Sequence, residues 1–130
     1  SNALFDINKA IELDNDNTST DYLYLRIYVK TELSDHFGAL ADINKIIPKN
    51  FNDDYAHYTK GMILWRLDDN IGAENSITKA IELNPKESIY YMKRGSIKYN
   101  QNKTSACADW SKAGELGEYK AYDYIRDYCK

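Results

Sequence analysis

Short blocks of this chain recur at one fixed spacing, and that recurrence constrains the fold more than any single motif. Lys79-Ala80-Ile81-Glu82-Leu83 is echoed one period later by Lys112-Ala113-Gly114-Glu115-Leu116, and about two periods earlier by Lys9-Ala10-Ile11-Glu12-Leu13. Gly38-Ala39 returns as Gly72-Ala73, and Lys60-Gly61 as Arg94-Gly95, each pair one period apart. A period of roughly 34 residues marks a stack of supersecondary units rather than one globule.

Inside a period the apolar spacing is helical. Tyr58, Gly61, Met62, Leu64 and Trp65 share one face, and Ala73, Ile77, Ala80, Ile81 and Leu83 another. Asp68-Asp69-Asn70 reads as the turn between them. Asn84-Pro85 ends the second helix, because proline cannot continue it and biases the preceding residue away from the α region. Each unit is therefore a helix, a turn, a second helix and a stop. Composition agrees: among 130 residues there are only two prolines and six glycines. With 17 Lys and Arg against 20 Asp and Glu, net charge −3, the chain lacks the basic surplus of a nucleic-acid reader. No apolar run is long enough to span a bilayer.

These residues resemble the tetratricopeptide repeat (TPR) family. Asp54–Glu87 supplies His57, Gly61, Leu64, Ala73, Ile77, Ala80 and Pro85 at family positions 4, 8, 11, 20, 24, 27 and 32. The next unit supplies Tyr91, Gly95, Ala106, Trp110 and Ala113, with a turn one residue short, and the preceding one Leu23, Ala39 and Ile43. Ile27 and Ile46 replace small residues there, which predicts a slightly splayed helix pair. The resemblance implies an all-α superhelix, a TPR solenoid. Its expected parts are the scar of a removed expression tag (1–3), the second helix of a truncated repeat (4–14), repeats at 20–53, 54–87 and 88–117, and a capping helix (118–130). The native segment reads as a piece of a longer protein, and a homodimer through its truncated N-terminal end is conceivable.

The resemblance also implies function: a non-catalytic scaffold that binds a peptide or partner protein in its concave groove. Positions 2, 5, 9 and 12 of each first helix face that groove in the family. They place Tyr24, Tyr28, Tyr55, Tyr58, Met62, Trp65, Met92 and Tyr99 along it, a floor of amphipathic rings and flexible thioethers. The alternative is a structural, spacer or self-association module. The family's carboxylate clamp of Lys, Arg and Asn is poorly matched, because Tyr24, Tyr28, Tyr58, Met62, Met92 and Ser96 hold the comparable positions and only Lys93 and Arg66 lie nearby.

No phosphate loop, nucleophile elbow or zinc-protease motif is present, so no enzyme, cofactor or metal site is expected. Asp14-Asn15-Asp16-Asn17-Thr18 lacks the glycine and glutamate of a calcium loop and reads as an enlarged polar turn. His36 is expected on the surface of a turn and His57 partly buried between helices. A hairpin about Gly117 would bring Cys107 near Cys129, either as a disulfide or as a close pair of buried thiols. Tyr122 and Tyr128 are expected on the buried side of the cap.

Overall fold

The structure, a computed structural model, describes residues 2–13 and 20–130. Among them are eight α-helices and no strand: α1 (Asn2–Leu13), α2 (Thr20–Glu32), α3 (His36–Ile46), α4 (Asp54–Arg66), α5 (Asn70–Leu83), α6 (Ser88–Lys98), α7 (Lys103–Glu115) and α8 (Lys120–Tyr128). Asn2 and Ala3 are helical, so α1 begins ahead of Leu4. The stretch read as an enlarged turn, Asp14–Thr18, lies outside the described residues. Packing is dominated by consecutive helices, as a one-dimensional stack requires.

The periodic blocks acquire physical reasons. Asp35 and Asp69 cap α3 and α5, each accepting from the backbone N–H three residues on, at Gly38 and Gly72, both at 2.9 Å. A Cβ on Gly38 or Gly72 would collide with the capping carboxylate. The alanines that follow, Ala39 and Ala73, are fully buried. Gly61 and Gly95 permit close helix approach, since a Cβ there would sit 2.6 Å from Ile77 Cγ1 and from Trp110 Nε1 respectively. Ile27 occupies the equivalent place in the first pair, and α2–α3 are in less extensive contact than α4–α5 or α6–α7. Asn102 caps α7 through Ser105 N–H at 3.0 Å, and its turn is the one shortened by a residue.

Two buried ionic clasps, two periods apart, join three helices each. Arg26 donates from Nε and Nη2 to Asp42 at 2.7 and 2.5 Å, and from Nη1 to Asn8 at 2.9 Å, tying α2 to α3 and α1. Arg94 repeats this with Asp109, at 2.8 and 2.7 Å, and with Thr78 at 3.2 Å, tying α6 to α7 and α5. A lysine one turn on completes each clasp: Lys30 stands 3.2 Å from Asp42 and Lys98 3.6 Å from Asp109. The middle unit carries Lys60, Leu64 and Ser76 at these places, and no such clasp forms among its described residues. Bidentate geometry is what makes such buried carboxylates tolerable.

A second link is neutral on one side. Tyr90, buried on α6, donates its hydroxyl to Asp54 at the start of α4 (2.6 Å), and Asn84 Nδ2 adds a bond at 3.2 Å. The Tyr90 hydrogen bond is the main reason the Asp54 carboxyl lies below its ordinary range. A folded-state value below the unfolded one contributes stability above the unfolded value, and that contribution is lost as pH falls through the folded value. Tyr90→Phe is therefore expected to raise the Asp54 value in a carboxyl NMR titration and to remove this part of the acid dependence. An unmoved Asp54 titration would show that the hydroxyl is not its partner in solution.

At the C-terminal end α8 covers α7. Its inward residues are Ala121, Tyr124 and Ile125, packed with Trp110 and Ala113. Tyr122 and Tyr128, expected to be buried, are 49% and 47% exposed. Tyr122 lies against Gly114, and Tyr128 meets Tyr99 and Tyr124 on one side, with its other side open. Cys107 and Cys129 are joined in a disulfide, with Cα atoms 5.9 Å apart.

Candidate binding groove

The first helices α2 and α4 present tyrosines at helical spacing toward a common trough. Tyr24 and Tyr28 come from successive turns of α2, and Tyr55, Tyr58 and Met62 from successive turns of α4. Together with Ile27, Thr31, Glu32, Asp53 and Thr59 they line a cavity of about 470 Å³. The rings are mutually braced. Tyr24 meets Tyr55 edge-on at 5.5 Å, Tyr55 lies 6.1 Å from Tyr58, and Tyr58 rests on buried Tyr90 at 4.9 Å. Aromatic pairs at these separations add roughly 0.5–1.5 kcal/mol beyond burial. Tyr28 and Tyr55 remain 64% and 52% exposed, so ring surface is available to a ligand.

Hydrogen bonding gives the trough a definite polarity. Thr31 Oγ1 donates to Ile27 O, and Thr59 Oγ1 to Tyr55 O at 2.8 Å, so both threonines turn their protons onto their own helix. The Tyr24 hydroxyl donates to Asp53 Oδ2 at 3.2 Å, while Asp53 Oδ1 accepts from Tyr55 N–H at 3.0 Å and caps α4. Burial first, then the adjacent Asp53 carboxylate, raises the Tyr24 phenol above its ordinary value, and burial chiefly does the same to Tyr58. Both stay protonated at neutral pH.

Five of the eight sequence-derived groove residues, Tyr24, Tyr28, Tyr55, Tyr58 and Met62, thus meet at one cavity. The other three do not. Trp65 is half-buried and packs with Tyr58, Met62 and Leu64 against the middle core. Met92 is only 6% exposed, because it packs with Trp110 and Ala121, and its carbonyl accepts from Trp110 Nε1 at 3.2 Å. Tyr99 belongs to a separate hollow of about 240 Å³ with Ser96, Trp110, Tyr124 and Tyr128. The bulk of Trp110 between α6 and α8 interrupts the expected stripe. Glu32, Asp53 and Thr59 were missed by the family positions, since each falls outside the 2, 5, 9, 12 register. Tyr90 was missed because it faces the core beneath Tyr58.

The histidines are structural. His57 is buried, bonded to Phe51 O at 2.8 Å and set edge-on to the Phe51 ring at 5.3 Å. His36 begins α3 and is partly exposed. No cluster of three or more potential metal ligands occurs among the described residues, and none of their helices is long and apolar enough to cross a membrane.

Paired helices stacked in sequence order, with their first helices lining a trough, define a helical-repeat solenoid. Residues 55–87 match the sequence model of the tetratricopeptide repeat, and the chain as a whole folds as an all-α helical repeat. Its fold is similar to that of the first TPR of Spaghetti (RPAP3) bound to HSP90 peptide SRMEEVD. That structure is 18% identical with a TM-score of 0.76, over 82% of this chain and 87% of that one. A MamA structure is 17% identical with a TM-score of 0.81, covering 92% of this chain and 70% of its own. A second MamA structure is 19% identical, TM-score 0.77, with 91% and 69% covered. No curated protein sequence matches the chain.

Proposed function

We propose that this chain is a scaffold that binds an extended segment of a partner polypeptide across α2 and α4. The observation that carries this reading is the cavity of about 470 Å³ whose floor is four tyrosine rings and a methionine. Such rings offer contact area at low entropic cost and concentrate binding energy. The RPAP3 repeat is bound to a peptide rich in Glu and Asp; the trough here carries carboxylates of its own, so that ligand is not transferred to this chain.

Peptides selected from a random displayed library against the immobilised chain should perturb the backbone amides of Tyr24, Tyr28, Tyr55, Tyr58 and Met62 in NMR spectra. The double variant Tyr28→Ala, Tyr55→Ala should weaken their binding by about 30-fold, the scale of a lost aromatic hot spot. Both side chains are largely exposed, so its helical circular dichroism should stay as in the parent. Selected peptides that map elsewhere, or bind the variant unchanged, would point instead to a structural or self-association module.

A further inference from the structure

The geometry points to a cationic ligand group: we infer that the α2–α4 cavity takes a lysine or arginine side chain of the bound segment. This rests on the groove reading and adds the chemistry of what fills it. Among the described residues only two charged ones line the cavity, Glu32 and Asp53, and both are acids. Neither forms an ion pair with another described residue. Asp53 is needed to cap α4, but Glu32 has no such role. It ends α2, where the helix dipole disfavours a negative charge. Its carboxylate is exposed at the cavity rim and open to a cation.

The two acids bracket the rings. Asp53 bonds the Tyr24 hydroxyl, and Glu32 lies eight residues further along α2, about 12 Å at the helical rise. Tyr28 lies midway between Tyr24 and Glu32 in the sequence of α2, and Tyr55 and Tyr58 line the same cavity from α4. The ring face is the negative pole of the aromatic quadrupole and attracts an ammonium or guanidinium group. The remaining polar groups reinforce this choice, because Thr31 and Thr59 spend their donors on their own backbone. What remains is the neutral hydroxyls of Tyr28, Tyr55 and Tyr58 and two carboxylates, so the only charge the cavity offers among the described residues is negative. An anionic segment would meet two carboxylates with no compensating cation. A neutral apolar side chain would use the rings and gain nothing from the two carboxylates. A guanidinium or ammonium satisfies both features at once.

The test uses three capped pentapeptides, Ala-Ala-X-Ala-Ala, in which X is arginine, its neutral isostere citrulline, or norleucine. Each is titrated into the labelled chain and followed by NMR at the amides of Tyr28, Tyr55 and Thr59. The arginine peptide should bind about 10-fold more tightly than the citrulline peptide, the scale of a desolvated cation–ring contact with a carboxylate beside it. Its affinity should fall as NaCl rises from about 50 to about 500 mM. Glu32→Gln should weaken arginine binding about 3-fold with citrulline binding unchanged, and Tyr28→Leu should do so similarly. Asp53→Asn, which preserves the helix cap, provides a second charge removal with the fold intact. Equal affinity for all three peptides, or no response of the cavity amides to arginine, overturns the cationic site. Library-selected peptides that still map to the trough would then leave the groove reading standing. Peptides that map elsewhere end both.

Discussion

Asp42→Ala is expected to destabilise the protein by about 3–5 kcal/mol, the usual consequence of removing one partner from a buried ion pair. Asp42 is fully enclosed and is the carboxylate partner of both Arg26 and Lys30. Its loss leaves two cations between α1, α2 and α3 with no counter-charge. Asp109→Ala should cost less, because Lys98 keeps a second acid, Glu74, at 3.8 Å. Urea unfolding followed by circular dichroism gives both values. A triple change, Asp42→Leu with Arg26→Met and Lys30→Met, should recover most of the loss, since it removes the unpaired charges rather than creating them. A cost below about 1 kcal/mol for Asp42→Ala would mean that water or side-chain motion reaches the clasp.

Reduction of the Cys107–Cys129 disulfide should have the next largest effect. The bond closes a 22-residue separation, for which chain-entropy arguments give about 3 kcal/mol. The penalty should be local, because α8 touches mainly α7. Once untied, α8 frays from Tyr128 inward and uncovers Trp110. A red shift of tryptophan emission on adding reductant, in a Trp65→Phe background, reads this directly. Cys107→Ser with Cys129→Ser should show the same emission without reductant. An emission spectrum indifferent to reductant would mean that Ala121, Tyr124 and Ile125 hold the cap unaided.

The sequence made the architecture legible because small residues recur where helices must nearly touch. Gly61, Gly95, Ala39 and Ala73 can be read as a period without knowing what they pack against. The capping pairs, Asp35 with Gly38 and Asp69 with Gly72, carry the same signal. The groove was only partly legible. Periodicity places a residue on a face of its helix, and for Tyr24, Tyr28, Tyr55, Tyr58 and Met62 that sufficed. It could not show that Met92 is buried against Trp110 of α7, because that depends on the size of a residue 18 positions away. The clasps escaped for a related reason. Arg26 with Lys30 and Arg94 with Lys98 repeat at twice the unit that the glycines advertise, and a search at the single period passes over them. Buried charge also looks like ordinary surface charge until its partners are in place.

The covalent link near the C-terminus alters how this chain would respond to cleavage. The turn between α7 and α8 contains Gly117, exposed and at a φ of 109°, and is followed by the highly exposed Tyr119. Such turns are where proteases nick first. A single cut there falls between the two bridged cysteines, so the severed helix stays attached through sulfur and remains seated on Trp110. The nicked protein would migrate as an intact chain until a thiol is added, and it would keep the last repeat covered in the meantime.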